Sequence, residues 1–158
     1  MKIKKIAVIL TAVASLTFGS QSAFANSNIY EQNDIQNNSY YTPELYTAGS
    51  VSTNPFGLNK LGTLSSTSDH DWYLLEIPQN FPSDTALITL VNPYGGVRYS
   101  LSITTENGGY VSKEWLIDNE TLTQVRIQLS PNTKYKLHVS PYSENSDVNQ
   151  FYYQLAVN

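Results

Sequence analysis

From Asp71 onward apolar and polar residues alternate with a period of two, the pattern of strands that bury one face. Tyr73, Leu75 and Ile77 share one face, and Trp72, Leu74 and Glu76 take the other. The pattern returns at Tyr99, Leu101 and Ile103, at Val125, Ile127 and Leu129, and at Tyr135, Leu137 and Val139. Tyr153, Leu155 and Val157 close the chain in the same way. Ala86 to Val91 is a continuous apolar-rich run, expected to be buried on both faces. Turn signals separate these runs. Asn107-Gly108-Gly109 reads as a hairpin, Ser130-Pro131-Asn132 ends a strand, and Gly95-Gly96 marks another turn. Only Lys113 to Thr123 allows a short helix, and Asp118-Asn119 argues against it. Spacings of about 8–12 residues between turn signals predict an all-β fold, an antiparallel sandwich or barrel.

The first 60 residues read differently. Lys2, Lys4 and Lys5 precede an apolar run from Ile6 to Phe18, and Ala23-Phe24-Ala25 gives a small-x-small cleavage pattern. Residues 1–25 are therefore expected to be a secretory signal, too short in its apolar part for the roughly 20 residues of a membrane span. Residues 26–60 are polar and irregular, an arm with one or two short strands around Tyr40 to Tyr46, packing on a sandwich formed by residues 61–158. Residues 26–158 are expected to form one domain.

Charge narrows the function. The 158-residue chain has a net charge of −4; removing the three signal lysines makes it −7. No basic run remains to neutralise phosphates, so neither nucleic acid nor an anionic membrane is an expected partner. Charged residues are 14% of the chain, below the usual ~25%, and neutral polar residues with 12 tyrosines must cover the surface. Without cysteine no disulfide can staple the fold.

Candidate chemistry is sparse. There is no Gly-x-Ser-x-Gly elbow, and His70 and His138 are the only imidazoles. His138 is expected to be a solvated strand residue beside Lys134 and Lys136, and His70 a loop residue beside acids. Neither a catalytic triad nor a zinc site is expected from two histidines and no cysteine. Glu31-Gln32-Asn33-Asp34 and Asp69-His70-Asp71 are oxygen-rich clusters next to turns. Hard oxygen donors suit Ca²⁺, which takes 6–8 of them, although a solvated acidic turn has the same composition.

Six segments in order add a resemblance. They are Glu31-x-Asn33-Asp34, Gly62-Thr63-Leu64, Asp69-x-Asp71-Trp72-Tyr73, Asn92-Pro93-Tyr94-Gly95 leading into Tyr99-Ser100-Leu101, Leu129 to Leu137, and Asn149 with the last strand. Together the chain resembles the bacterial pre-peptidase C-terminal domain, related to clostridial collagenase collagen-binding domains. The resemblance implies an antiparallel jelly-roll-like β-sandwich after an irregular N-terminal arm. It also implies calcium held by Glu31, Asn33, Asp34 and Asp71, with Asp69 beside them. The stretch between Asp34 and Asp69 is longer than that pattern, with Asn54-Pro55-Phe56-Gly57 looking inserted, and no protease domain accompanies the module. The expectation is a secreted, extracellular, monomeric, non-enzymatic module of a Gram-positive bacterium that binds an extracellular protein or polysaccharide. The alternative is a small secreted hydrolase or inhibitor acting on exported proteins or wall polymers. Tyr142, Tyr152 and Trp115 are the expected contact surface, because aromatic side chains bring large area with few rotors to freeze.

Overall fold

The computed structural model describes residues 31, 37–47, 60–77, 79, 81, 83–93, 97–143 and 151–158. The signal segment, Asn33, Asp34, Asn54–Gly57, Tyr94 and Gly95-Gly96 lie outside the described residues. Nine strands follow in chain order: β1 (Glu44–Thr47), β2 (Lys60–Gly62), β3 (Asp71–Glu76), β4 (Thr85–Val91), β5 (Tyr99–Thr105), β6 (Lys113–Asp118), β7 (Leu122–Gln128), β8 (Tyr135–Pro141) and β9 (Tyr153–Val157). They form a four-stranded sheet, β1-β3-β8-β5, packed on a five-stranded sheet, β2-β9-β4-β7-β6. The expected all-β sandwich is present. Every connection but β6–β7 passes from one sheet to the other.

The alternation sorts side chains as the period demands. Tyr73, Leu75, Tyr99, Ile103, Leu137 and Val139 point in from one sheet, and Ile88, Leu90, Val125, Ile127, Tyr153 and Leu155 meet them from the other, all buried. Each such side chain stabilises the fold by roughly 1.5–3 kcal/mol relative to exposure.

Several expectations need correcting. Lys113–Thr123, where Asp118-Asn119 argued against the one helix allowed, is β6 and the start of β7, joined by a hairpin. Asn119 makes that turn: its Oδ1 accepts the Thr121 and Leu122 N–H groups, each at 2.9 Å. Asn107-Gly108-Gly109 is a turn but not a hairpin, because β5 and β6 lie in different sheets. Ala86 to Val91 is fully buried on one face only; Leu87, Thr89 and Val91 are half-buried. The arm's strand begins at Glu44, and it pairs parallel with β3 in an otherwise antiparallel fold.

The arm lies on the outer face of the four-stranded sheet. Trp72 N–H donates to the Asn37 carbonyl at 2.8 Å. Tyr40 donates its hydroxyl to the Glu106 carbonyl at 3.0 Å. Lys136 donates to the Tyr40 carbonyl at 2.8 Å, and its ammonium sits 3.3 Å from the centroid of that ring. This cover is why Lys136 is buried, against the expectation of a solvated strand face. Lys60 on β2 and Glu44 on β1, both mostly buried, form an ion pair linking the edges of the two sheets.

Gly108 holds φ at +81° after β5, where its N–H donates to the Thr105 carbonyl at 2.9 Å. A Cβ there would meet the Tyr40 hydroxyl at 3.2 Å. Gly108→Ala is therefore expected to cost about 1–2 kcal/mol, the penalty of an L-residue in the left-handed region. A lower urea midpoint with an unchanged slope is the expected result, and an unchanged midpoint would contradict it.

Candidate functional site

Of the two acidic clusters of the sequence, Glu31 from the first and Asp69 and Asp71 from the second are described. Glu31 anchors to β2 by donating its N–H to the Leu61 carbonyl at 3.0 Å. Its Oε1 accepts from Thr63 N–H at 2.8 Å and from Thr63 Oγ1 at 3.1 Å, and its Oε2 accepts from Asn37 Nδ2 at 3.4 Å. Asp69 Oδ2 accepts from Ser65 N–H at 2.6 Å and Ser65 Oγ at 2.8 Å. Asp71, fully buried, accepts the Tyr153 hydroxyl at 2.6 Å. That hydroxyl is 2.6 Å from the hydroxyl of Tyr73. Since Tyr153 gives its proton to Asp71, Tyr73 must be the donor to Tyr153. Burial, then the neighbouring carboxylates, push the Tyr73 phenol well above its ordinary range; burial, then Tyr73 and the same carboxylates, do so for Tyr153, so both remain donors. Gly62 is required here because a Cβ would overlap the Tyr153 hydroxyl.

Two oxygens of this corner stand out. Asn37 is 1% exposed and Asp69 4% exposed, and Asn37 Oδ1 and Asp69 Oδ1 have no hydrogen-bond partner among the described residues. A buried oxygen without a donor costs about 1–3 kcal/mol. A hard cation would remove that cost, and carboxylate and amide oxygens are the donor set calcium takes. The described residues supply fewer oxygens than a complete shell. No three of their acidic or imidazole groups come close enough to share a metal ion. The remaining expected ligands, Asn33 and Asp34, lie outside the described residues. Of the expected set Glu31, Asp69 and Asp71 are described, each engaged in its own hydrogen bonds, and Asn37, which was not in that set, donates to Glu31. Nothing in the sequence singles Asn37 out, because the arm carries many Asn and Gln residues.

His70 lies in the loop before β3 beside Asp69 and Asp71, as expected, but His138 is not the solvated strand residue expected. His138, on the central strand β8, is half-buried and stacks on Trp72, with ring centroids 3.9 Å apart and planes 6° apart. Trp72 lies directly opposite it in the β3–β8 register. Tyr40 meets Trp72 edge-on at 5.2 Å. His70 Nδ1 and His138 Nε2 are 2.9 Å apart. Burial, then the charge of His70, lowers His138 to about 4, so the ring is neutral at pH 7. With 68 residues between them, nothing in the sequence signals this pairing.

The expected contact aromatics are exposed: Tyr142 by 53%, Tyr152 by 52% and Trp115 by 52%. Tyr142 follows β8 and Tyr152 precedes β9, and these strands are in different sheets rather than adjacent. Register still brings them to the same end. Pro141 pairs with Tyr99, Gln154 with Val91, and Asn92 ties the sheets there through Tyr99 N–H at 3.0 Å and the Glu120 carbonyl at 2.8 Å. The Arg98 guanidinium covers the Tyr142 ring at 4.0 Å and donates to Asp118 at 2.6 Å, linking Tyr142 to the strand that carries Trp115. Asp71 pairs with Val139, so the carboxylate corner shares this end. At the opposite end a cleft of about 740 Å³ is lined by Ile77, Phe81, Leu129 and Pro131, with Asp84 and Lys134 at its rim.

No helix among the described residues is long and apolar enough to cross a membrane. No family model matches the chain, and no curated protein matches it either, so the functional reading rests on this geometry and on the sequence.

Proposed function

We propose that this chain is a secreted, non-enzymatic β-sandwich module of the pre-peptidase C-terminal kind. Calcium ties its arm to the sandwich, and the adjoining aromatic rim binds an extracellular protein or polysaccharide. The observation that carries the calcium reading is the pair of buried oxygens on Asn37 and Asp69 that lack donors among the described residues, beside the carboxylates of Glu31 and Asp71. Asn33 and Asp34 would complete the shell. Register supports the coupling, since the corner and the exposed rings of Tyr142 and Tyr152 share one end of the sandwich. A non-catalytic role is supported by the two imidazoles, which face each other rather than a nucleophile.

The test is a melting curve and a retention assay on the mature chain. Extracellular modules bind calcium with Kd near 10⁻⁴–10⁻³ M. At tenfold excess mass action stabilises by about 1.4 kcal/mol, a rise of a few degrees in Tm. Asp69→Asn should remove that rise while keeping the bond to Ser65. Retention on immobilised collagen, chitin, cellulose or peptidoglycan should fall in chelator and be lost in a folded Tyr142→Ala/Tyr152→Ala variant. Hot-spot aromatics cost about 2 kcal/mol or more, roughly thirtyfold in affinity. Melting indifferent to both chelator and Asp69→Asn would refute the calcium reading. Full retention by the double variant would refute the rim.

A further inference from the structure

We propose that the open seam of the sandwich between the edge strands β5 and β6 is a track for a neutral polysaccharide, with Trp115 as its stacking platform and the Arg98–Asp118 pair as its hydroxyl clamp. The inference rests on the reading of the exposed aromatic residues as a binding surface, and specifies the class of ligand they take.

Topology defines the seam. β5 is the last strand of one sheet and β6 the last of the other. At the opposite pair of edges β1 and β2 are tied by the Lys60–Glu44 ion pair. Here Arg98, one residue before β5, crosses to Asp118 at the end of β6, with Nη2 donating to Oδ1 at 2.6 Å.

A β-bulge aims the side chains. β6 pairs Trp115 with Val125 and then, after a register shift, Ile117 with Gln124 and Asp118 with Thr123. In a regular strand Trp115 and Asp118, three residues apart, would point to opposite faces. The extra residue turns Asp118 onto the face of Val125 and Thr123, both buried, and Thr123 Oγ1 donates to Asp118 Oδ1 at 3.2 Å. Bulges re-aim side chains at the cost of ladder pairing. This one sets a carboxylate on the same face as a half-exposed tryptophan, roughly 10 Å along the strand. It also breaks the regular edge that an added peptide strand would need, which favours a glycan over a protein.

The polar groups suit hydroxyls. Asp118 Oδ1 takes both donors, so among the described residues Asp118 Oδ2 and Arg98 Nη1 are left without a partner. The Asp118 side chain is 49% exposed. A guanidinium N–H beside a carboxylate oxygen matches two adjacent sugar hydroxyls, one accepting and the other donating. The pair is already neutral, and a mature chain of net charge −7 repels acidic polymers. The Tyr142 ring, 4.0 Å from the guanidinium, and Trp115 are both about half exposed. The C–H hydrogens of a pyranose carry slight positive charge and settle on the negative face of such rings.

The experiment is calorimetry and tryptophan fluorescence of the mature chain in excess Ca²⁺ with chitohexaose and with cellohexaose, beside retention on collagen beads. Binding of at least one hexasaccharide is expected, equal in low and high salt because no charge is exchanged, with a blue shift of the Trp115 emission that Trp115→Phe abolishes. Trp115→Ala, at a half-exposed edge position, should weaken binding roughly thirtyfold or more with the melting curve near wild type. Undiminished binding by that variant, or binding of neither hexasaccharide, would overturn the track. Retention on collagen alone, lost in Tyr142→Ala/Tyr152→Ala, would overturn the glycan and leave the binding-module reading standing, whereas retention on no matrix would remove both.

Discussion

Tyr153→Phe should be among the most damaging conservative substitutions in the chain, costing about 3 kcal/mol and roughly 10 °C in Tm. The hydroxyl it removes is fully buried and occupies the middle of a directed chain, in which Tyr73 donates to Tyr153 and Tyr153 donates to Asp71. Deleting it takes the donor from a buried carboxylate oxygen and the acceptor from a buried phenol. Each orphaned group costs about 1–3 kcal/mol, more for the charged one. Tyr73→Phe removes only the first donor and leaves the bond to Asp71 in place, so about 1 kcal/mol is expected. The order of the two variants is the test. Urea denaturation showing Tyr73→Phe to be the more harmful would mean that the chain runs differently from the one described.

Acid should weaken the fold through His138. Its folded value near 4 lies below the ordinary 6.5, so the unfolded chain binds a proton between those limits that the folded chain refuses. The resulting stability is fully present above pH 6.5 and is lost as the pH falls toward 4. A difference of this size corresponds to about 3 kcal/mol, of which most would be gone by pH 4.5. Burial is the larger cause, and His70, which faces the ring, adds to it. Carboxylates also titrate in this range, so the comparison needs a chain without the imidazole. His138→Phe keeps an aromatic face on Trp72 and has nothing to protonate. Between pH 7 and 4.5 the wild type should lose about 2–3 kcal/mol more than this variant. Equal losses would show that His138 does not carry the effect.

Much of the sandwich is readable along the chain. A period of two identifies Tyr73, Tyr99, Tyr135 and Tyr153 as core residues, and all four are buried. It does so because sidedness is a local property: alternate residues of a strand point to opposite faces whatever the strand pairs with. Acidic clusters beside turns were legible too, since Asp69 and Asp71 flank the loop before β3. Lys113–Asp118 gave no strand signal because an edge strand whose side chains are mostly exposed has no strong alternation to show.

What the sequence by itself determined is therefore where strands run, which face of each is buried, and where the chain turns. Which strands become neighbours was decided only by the tertiary structure. A Gly-rich turn after β5 looks the same whether it folds back within a sheet or crosses to the other, and the backbone bonds that pair strands carry no side-chain identity. The parallel pairing of β1 with β3, the burial of Lys136 beneath Tyr40, and the meeting of His70 with His138 all depend on that choice. So does the burial of the Asn37 and Asp69 oxygens, which have no donor among the described residues: on a bare turn each of these polar side chains would sit in water.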